Sequence, residues 1–425
     1  MAAVPLTDDA DERACIDGVD LAALVRRLGT PLHVYSASAL RRRVADLRDA
    51  LAGLEVLVCY AVKANPNVAV LELMANEGLG ADIVSAGELR RSLRAGIAPE
   101  RIVFSGVGKT ADEIAEALAA GIARFNLESR DELELLQRVA CEHAQVARAS
   151  VRVNPDVDAG THAKIATGKA ENKFGVEPAE AWQWFADRAQ RPNVLLDGLH
   201  VHIGSQVLEL APFRRAFARV AAFERELARA GHAVACIDVG GGLGVRYRAG
   251  HDAPVDVDDY SRALREAMRG FHGRLVVEPG RWLVAEAGVL LTRVIRVKHG
   301  AERRFLVLDA AMNDLQRPSL YDAWHAIEPL YGRERECVTY DVVGPVCETG
   351  DTFARGRELP RCEAGDLLMI ETTGAYGASM ASTYNSRPLA AEVMLERGRY
   401  AVVRRRQSFD EMLAGERPAG DWQIA

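Results

Sequence analysis

Eight short apolar segments separated by helical patterns constrain the fold of this chain more than any other feature. Short β-prone runs that alternate with helices pair in parallel, and eight is the number at which such a sheet closes into a barrel. We therefore predict an α/β fold with a (β/α)8 TIM barrel over residues 36–282. The apolar segments lie at 56–62, 81–84, 102–105, 124–127, 151–154, 195–203, 236–239 and 275–278.

The intervening helices have recognisable start signals and apolar faces. Thr110 and Ser129 each precede a glutamate by three residues, which is the spacing of a capping box. A doubly wound open sheet is the competing architecture, but it would place a glycine fingerprint after the first strand, where this chain has Lys63-Ala-Asn-Pro. One helix has a single apolar stripe, formed by Phe213, Phe217, Val220, Phe223 and Leu227.

The pattern changes after the eighth segment. Such runs of β-prone residues, without long helices between them, predict an antiparallel β-sandwich or β-barrel-like domain. This second domain would consist of residues 283–425 together with 1–35, in which 31–35 is a short strand. A chain of 425 residues exceeds one ordinary hydrophobic core, which agrees with two domains. The β-prone runs lie at 288–297, 304–308, 337–343, 366–371, 391–395 and 400–404.

Composition argues against several classes of function. The formal net charge of -7 is unfavourable for binding nucleic acid or a membrane surface. The seven cysteines include no Cys-x-x-Cys pair, which indicates a reducing compartment and neither a disulfide framework nor a zinc site. No apolar run reaches membrane-spanning length, and no signal sequence precedes the folded pattern. We therefore expect a cytoplasmic protein without a metal ion.

Chemically special residues fall at the carboxyl ends of the predicted strands, the rim at which barrel enzymes place their reactive groups. Taken singly, a histidine on a strand or a run of glycines more often has a structural role. Their coincidence at one rim predicts an active site. The rim residues are Lys63, Asp82, Ser85, Asn154, His202, Gly204, Ser205, Gly240, Gly241, Gly242, Glu278, Pro279, Gly280 and Arg281.

Lys63 directly follows the first buried strand. Burial disfavours an ammonium ion, so such an amine shifts toward the neutral, nucleophilic form that a Schiff base requires. The alternative is a lysine whose stem covers apolar surface while its head reaches water.

The other rim residues suit one ligand. Three glycines with Ser205 can cradle a phosphate, Glu278 can hold a ring nitrogen protonated, and a histidine can stack on the ring. The cradle alone would also suit a nucleotide or a sugar phosphate. The lysine favours pyridoxal 5′-phosphate (PLP), whose protonated ring is an electron sink.

Polar clusters interrupt the predicted β-rich domain. Cys347 lies among glycine, proline and two carboxylates, which indicates an irregular loop and a functional thiol; a buried, inert thiol is the common alternative. Arg281 and Arg317 could each bind a carboxylate through two hydrogen bonds, whereas a surface arginine is the common alternative for either. The clusters span 313–321, 344–351 and 372–377.

Six motifs, in order, resemble those of the fold-type III PLP-dependent decarboxylases over about residues 30–400. Two further segments, Ile165–Gly168 and Asn172–Gly175, resemble the substrate-side loop of the members that act on diaminopimelate. Thr349 stands where serine is common, which is a small departure. The six motifs are Tyr60-Ala-Val-Lys63-Ala-Asn, His202-Ile-Gly-Ser-Gln, Gly240-Gly-Gly, Glu278-Pro-Gly-Arg281, Asn313-Asp-x-x-Arg317-Pro and Cys347-Glu-x-x-Asp351.

The resemblance implies a cofactor site at the barrel rim. Lys63 would form the Schiff base with PLP, and His202 would stack on the ring. Glu278 would pair with the ring nitrogen and so stabilise the quinonoid. The remaining cofactor-binding residues would be Ser205, Gly241, Gly242, Gly280, Arg281 and Tyr376.

The resemblance also implies the reaction, which is decarboxylation of meso-2,6-diaminopimelate to L-lysine and CO2, the last step of lysine biosynthesis. Cys347 would protonate the carbanion. Cys347 and Glu348 would come from the neighbouring subunit, so a homodimer with shared active sites is expected, with the β-rich domain at the substrate site and the dimer interface. The substrate-binding residues would be Arg281, Arg317, Tyr321, Glu348 and Tyr376.

Three other functions fit parts of the sequence. A decarboxylase of another basic amino acid or of carboxynorspermidine would use the same fold, and a diamine-forming or carboxynorspermidine-type enzyme should not need both Arg317 and Tyr321. An alanine-racemase-like enzyme shares the barrel, the lysine and a β-rich domain, but it would place a catalytic tyrosine where this chain has the Cys347 loop. A PLP-carrier module would need the barrel only, and the roughly 140 residues after Arg281 argue against it.

Overall fold

The computed structural model describes residues 7–8, 14–158 and 173–420. The chain forms two compact units. The barrel unit contains Ser36–Gly288 and Gly374–Ser379, and the β-rich unit contains the described residues up to Tyr35, Val289–Thr373 and the described residues from Met380. The segment Gly374–Ser379 belongs to the barrel unit because its backbone is bonded there: the Tyr376 N–H donates to the Ala64 carbonyl at 2.8 Å.

Eight parallel strands close into a barrel, as the sequence predicts. They are β1 (Val56–Ala61), β2 (Gly80–Ile83), β3 (Ile102–Phe104), β4 (Arg124–Leu127), β5 (Ala147–Arg152), β6 (Val194–His200), β7 (Cys236–Asp238) and β8 (Arg274–Val277). Each strand pairs in parallel with the next, and β8 returns to β1 with Leu275 opposite Val56. This closed order excludes the doubly wound sheet.

A described helix follows each strand. The helices are α1 (Val68–Asn76), α2 (Ala86–Arg94), α3 (Ala111–Ala120), α4 (Arg130–Glu142), α5 (Pro178–Ala186), α6 (Leu210–Arg229), α7 (Val257–Ala267) and α8 (Arg281–Val284), and Ala37–Ala50 precedes the barrel. The predicted apolar stripe is confirmed, since all five of its residues are buried on α6. Each such large side chain contributes about 1.5–3 kcal/mol through burial. None of the described helices is long and apolar enough to cross a membrane.

The two predicted capping boxes have different outcomes. Thr110 and Glu113 form a complete box at the start of α3, with both reciprocal hydrogen bonds. At the start of α4, the Ser129 hydroxyl accepts from the Glu132 N–H, but the Glu132 carboxylate accepts from Lys109 Nζ at 2.6 Å. The buried ammonium of Lys109 requires a counter-charge, and the other Glu132 oxygen accepts from the Glu128 N–H at 2.6 Å, so the carboxylate does not complete the second box.

The β-rich unit is built on a nine-stranded sheet. The predicted strand at its start is confirmed as Leu32–Ser36, between Gly288–His299 and Ala391–Glu396. Most pairs are antiparallel as predicted, but Arg304–Leu308 and Cys337–Val343 pair in parallel, so the sheet is mixed. The remaining strands are Ile327–Pro329, Thr352–Pro360, Leu367–Ile370 and Arg399–Arg404.

Several elements of this unit were absent from the prediction, among them the strand Ile327–Pro329. Thr352–Pro360 contains few apolar residues because it is half exposed, and Gly356 interrupts it at φ +57°. Leu21–Leu28 forms a helix whose N-cap, Asp20, accepts from the N–H groups of Ala22 and Ala23 at 2.8 and 2.9 Å. Short strands also occur at Thr7–Asp8, Ala14–Ile16 and Val19–Asp20.

His33 is a buried titratable group at the centre of the sheet. Neither of its ring nitrogens has a hydrogen-bond partner among the residues that the structure describes. Burial, together with the charge of Arg404, lowers the pKa of His33 to about 3. A histidine in the unfolded chain titrates near pH ~6.5, so the folded state excludes a proton that the unfolded state binds. The stability that neutral His33 permits is therefore complete above that pH and is lost as the pH falls toward 3.

We expect His33→Leu to flatten the acid side of the stability profile. In the wild type this one group should add a slope of up to about 1.4 kcal/mol per pH unit to the free energy of unfolding below pH ~6. Urea midpoints measured by circular dichroism at several pH values give the slope. His299→Gln, at an exposed position of the same unit, should keep the wild-type slope. Equal slopes in wild type and His33→Leu would contradict the assignment.

Candidate active site

The barrel interior changes from apolar to polar at the carboxyl ends of the strands. A cluster of buried apolar residues fills the barrel: Leu57, Cys59, Val103, Cys236 and Val276. On three strands, a residue of this cluster is followed two positions later by a polar residue. Successive side chains of a strand alternate between its two faces, so both members of each pair point into the barrel. The pairs are Val103 and Ser105, Cys236 and Asp238, and Val276 and Glu278.

Lys63 lies in the single turn Val62–Ala64 that follows β1. Its Nζ is 2.9 Å from Oδ2 of the fully buried Asp82 in β2, and 40% of the lysine side chain is exposed. Burial opposes the ammonium form, but the charge of Asp82, with smaller contributions from Tyr376 and Glu278, outweighs it and raises the pKa of Lys63. The prediction that burial leaves a neutral amine is therefore wrong, because a buried carboxylate lies beside it.

Asp82 is itself subject to opposing influences. Burial and the charge of Glu278 raise the pKa of Asp82, while Lys63 lowers it. The raised pKa of Lys63 favours the ion pair, whereas the raised pKa of Asp82 disfavours it. We take the ion pair as the state at neutral pH, since an amine is far more basic than a carboxylate and the two atoms are at hydrogen-bond distance.

Glu278 is buried just after β8 and is surrounded by donors. Its Oε2 lies 3.3 Å from His200 Nε2, and its Oε1 lies 3.4 Å from both Ser105 Oγ and Asn126 Nδ2. Burial alone would raise the pKa of Glu278, but the neighbouring His200 and Lys63 outweigh it, so the pKa is lowered. The barrel interior therefore contains an ionised carboxylate.

His202 and three loops form a glycine-lined cradle. Burial and the charges of Arg152 and Lys63 hold the pKa of His202 well below its usual value. The Gly241 N–H donates to His202 Nδ1 at 3.1 Å, so the neutral ring carries its proton on Nε2. A Cβ on Gly241 would lie 2.1 Å from the Glu278 carbonyl oxygen. Only glycine permits this approach of the loops after β7 and β8.

Arg281 is the buried cation beside this cradle. Its Nη2 donates to Ser205 Oγ at 2.9 Å, and its Nη1 donates to the Tyr247 hydroxyl at 2.7 Å. Its guanidinium also lies 4.7 Å from the centre of the Tyr376 ring. The structure thus brings three predicted residues, Ser205, Arg281 and Tyr376, into one positively charged corner, and Gly280 packs with its backbone against Ala61.

Arg317 is a buried arginine of the β-rich unit, on the helix Arg317–Tyr321. Its Nη1 lies 2.8 Å from His325 Nε2. A guanidinium can only donate, so His325 Nε2 accepts and the ring carries its proton on Nδ1, which lies 2.8 Å from the Glu371 carbonyl. His325 therefore orients Arg317. The predicted residues Arg317 and Tyr321 are four positions apart on one helix and share a face.

Cys347 and Glu348 are exposed on the loop of residues 344–351. The alternative of a buried, inert thiol is therefore wrong. The Asp351 carboxylate accepts from the N–H groups of Val346 and Met312 at 2.8 and 2.7 Å. The Cys347 N–H donates to Asn385 Oδ1 at 3.0 Å. These bonds shape a loop that presents a thiol and a carboxylate to solvent.

Two rim residues have structural roles. Ser85 caps α2 by accepting from the Glu88 N–H, and Asn154 Oδ1 accepts from the Asp156 N–H at 2.9 Å. The predicted segment Ile165–Gly168 and residue Asn172 lie outside the described residues. Phe174, from the end of the same predicted loop, lies 4.8 Å from the Arg152 guanidinium.

Several residues of the site had no assigned role in the sequence analysis. The two-residue alternation along strands could have identified Ser105, Asn126, His200 and Asp238 as interior residues. No comparable signal exists for Tyr247 and His325, because both lie in irregular segments and meet their arginines only through the fold.

An amine, an ionised interior carboxylate and a glycine cradle beside an arginine can together hold an aldehyde that carries a basic ring and a phosphate. These features fit a class, the pyridoxal-dependent decarboxylases. The model of their pyridoxal-binding domain matches residues 37–285 of this chain.

Comparison with individual proteins narrows the class. A diaminopimelate decarboxylase of Zymomonas mobilis is 49% identical over 407 residues, which cover 95% of this chain and 96% of that protein. Solved diaminopimelate decarboxylases with L-lysine match from Helicobacter pylori (42% identity, TM-score 0.89, 93% of this chain and 98% of that chain) and from M. jannaschii (34% identity, TM-score 0.93, 98% and 99%). The chain belongs to the diaminopimelate decarboxylase family.

We expect Asp82→Asn to lower the pKa of Lys63, since burial remains while the stabilising carboxylate is lost. Both proteins are first treated with hydroxylamine to free the amine from any bound aldehyde. At neutral pH, Lys63 of Asp82→Asn should then react with an acylating reagent at least about tenfold faster than Lys63 of the wild type, because lowering the pKa by one unit gives tenfold more neutral amine. Peptide mass spectrometry measures the rate. Exposed Lys298 is the internal control, and equal Lys63 rates in both proteins would contradict the ion pair.

Proposed function

We propose that this protein decarboxylates meso-2,6-diaminopimelate to L-lysine and CO2, with PLP held at the barrel rim. The observation that carries the proposal is the pairing of Lys63 with Asp82 in the same interior as the ionised Glu278. Similarity over nearly the full length to diaminopimelate decarboxylases supports the choice of substrate. Solved relatives with L-lysine support the product.

The residues present fit PLP. Its aldehyde requires an amine, its ring nitrogen requires an anion, and its phosphate requires backbone N–H groups and cations. Lys63 and Glu278 meet the first two requirements. The third is met where added Cβ atoms on Gly241 and Gly242 would collide with the carbonyl oxygens of Glu278 and Gly204, at 2.1 and 2.6 Å, so that bare backbone lines the cradle.

When bound, PLP supplies an electron sink for the pair of electrons left by departing CO2. The chain's own residues prepare the site for it. Lys63 provides the amine, and Asp82 holds the proton of that amine at Nζ. Glu278 stays ionised and would hold the ring nitrogen of PLP in its protonated form. His202 offers a neutral ring face, and Arg281 with Ser205 offers an anion site.

The second amino-acid head of the substrate would be bound by Arg317, Tyr321 and Glu348, with Arg281 and Tyr376 at the boundary between cofactor and substrate. Arg317 supports this role because it is buried and oriented by His325, which prepares its fork for a carboxylate. A substrate without the distal head would leave these groups unpaired, which is how a polar site rejects an analogue.

The thiol of Cys347 would return a proton from Sγ to the α-carbon after CO2 leaves. Cys347 and Glu348 are exposed on their own subunit, which supports a homodimer in which each subunit supplies this loop to its partner's site. No disulfide joins any of the seven cysteines, all of which lie in the described part of the chain. That state supports a reducing compartment such as the cytoplasm.

The proposed substrate is tested by supplying meso-diaminopimelate beside ornithine, arginine, lysine and carboxynorspermidine, and by measuring CO2 and amine release. We expect release from meso-diaminopimelate at least about a hundredfold above the others, since buried polar groups left unpaired reject analogues strongly. Lys63→Ala should lose both activity and the borohydride-reducible adduct. Faster release from carboxynorspermidine or ornithine would replace the proposal with that enzyme.

We expect Cys347→Ala to slow turnover at least about tenfold while keeping the cofactor absorbance, because a positioned acid contributes 10²–10⁴-fold. Cys337→Ala, at another exposed cysteine of the same unit, is the matched control and should keep the wild-type rate. An unchanged rate in Cys347→Ala would remove the acid role.

Mixing the inactive Lys63→Ala variant with the slowed Cys347→Ala variant tests the shared site. Equal amounts of Lys63→Ala and Cys347→Ala should regain activity, since random exchange leaves about one quarter of the sites with both residues intact. No regain, with subunit exchange shown by mass spectrometry, would place both residues on one subunit.

A further inference from the structure

Asp238 is a buried carboxyl group to which the proposed mechanism assigns no role. It ends β7, is fully buried, and lies on the strand next to β8, which Glu278 follows. One carboxylate oxygen each of Asp238 and Glu278 and one ring nitrogen of His200 all lie within 4.8 Å of one another. Two carboxyl groups therefore share one small volume from which water is largely excluded.

The orientation of Asp238 is determined by two donors. Its Oδ1 accepts from the Gly240 N–H at 2.9 Å. Gly240 is the first glycine of the cradle. Its Oδ2 is 3.2 Å from Asn126 Nδ2, and the same Nδ2 is 3.4 Å from Glu278 Oε1. One amide thus serves an oxygen of each carboxyl group, which places Oδ2 of Asp238 on the side that faces Glu278.

Charge balance requires a proton in this pair. The ammonium of Lys63 is 2.9 Å from a third buried carboxylate, Asp82. Two further ionised carboxylates side by side would repel each other in a buried site, and one of them binds a proton under such conditions. Glu278 has the better environment for an anion, because His200 and Ser105 approach its oxygens, whereas the Asn126 amide is shared between the two carboxyl groups.

We propose that Asp238 is protonated at neutral pH and donates its hydrogen bond to Glu278, which makes Asp238 a positioning residue that keeps Glu278 ionised and oriented. The assignment of the proton depends only on the burial and the contacts of Asp238 and Glu278. Its consequence, a permanent anion opposite the ring nitrogen of PLP, rests on the proposed function.

The electrostatics agree with this assignment. Burial, followed by the charge of Glu278, raises the pKa of Asp238 well above its usual value, whereas the pKa of Glu278 is lowered. The proton of the pair therefore belongs to Asp238. Burial together with these carboxylates also raises the pKa values of Cys59 and Tyr260, so both stay neutral. The other polar or titratable groups that face the pair are Lys63, Asp82, Ser105, Asn126, His200, His202 and Cys236.

Two substitutions distinguish a protonated acid from an anion. Asparagine at 238 keeps an oxygen for the Gly240 N–H and an N–H₂ donor toward Glu278, so Asp238→Asn imitates the donor of the protonated acid, while the Asn126 amide keeps Glu278 Oε1 as its acceptor. Asp238→Ala removes both groups. If the ionised form were required, asparagine would fail as alanine does, because it carries no charge.

The first measurement is infrared difference spectroscopy of wild type against Asp238→Asn, at pH 7 in H₂O and D₂O. We expect a deuterium-sensitive C=O band of a protonated carboxyl group that is present in the wild type, absent in Asp238→Asn, and retained in the matched control Asp82→Asn. Absence of the band in the wild type, or its loss in Asp82→Asn alone, would overturn the proposal.

The second measurement is PLP affinity of the full-length protein, followed by absorbance. We expect Asp238→Asn to bind PLP with an affinity within about threefold of the wild type. Asp238→Ala should bind PLP at least about tenfold more weakly, which is the effect of a change of one pKa unit in Glu278, the partner of the charged ring. Asparagine as weak as alanine, in protein shown to be folded by circular dichroism, would overturn the proposal. A wild type that shows the band but does not release CO2 from diaminopimelate would refute the proposed function only.

Discussion

A closed barrel excludes water from its interior, so each charge placed there requires a partner, and the site depends on this constraint. At the polar end of the barrel, Lys63 meets Asp82 at 2.9 Å and Glu278 meets His200 at 3.3 Å. Behind the strands, the buried Lys109 likewise meets Glu132 of α4 at 2.6 Å. Each pair joins different strands or the helices that follow them. The charges are therefore held in place by the barrel itself, and a shift of one strand would leave a buried charge without its partner.

The cradle depends on backbone contacts that side chains would prevent. Gly241 and Gly242 admit neighbouring carbonyl groups to distances at which no Cβ fits. A similar contact returns the segment 374–379 to the barrel unit, where a Cβ on Gly374 would lie 1.9 Å from the Val284 carbonyl. This return brings Tyr376, at φ +56°, beside Arg281. Glycine in both places allows loops that are distant in sequence to line one site.

The barrel could be predicted closely because its signals are local. Buried parallel strands are nearly continuous apolar runs, and the predicted segments overlap all eight strands. The strand Thr352–Pro360 escaped prediction because it is half exposed and rich in arginine, and the parallel pair Arg304–Leu308 with Cys337–Val343 because strand direction is not encoded locally. The second capping box was only half right, since buried Lys109 binds the glutamate that would have closed it.

The sequence by itself determined the alternation of strands and helices, the rim position of Lys63, the glycines and Glu278, and through its motifs the family. Only the tertiary structure decided the charge states. The state of an amine depends on what lies within a few ångströms of it, and the carboxylate beside Lys63 comes from the next strand, 19 residues away. For the same reason the neighbours of Glu278, which are Ser105, Asn126, His200 and Asp238, meet only when the sheet closes.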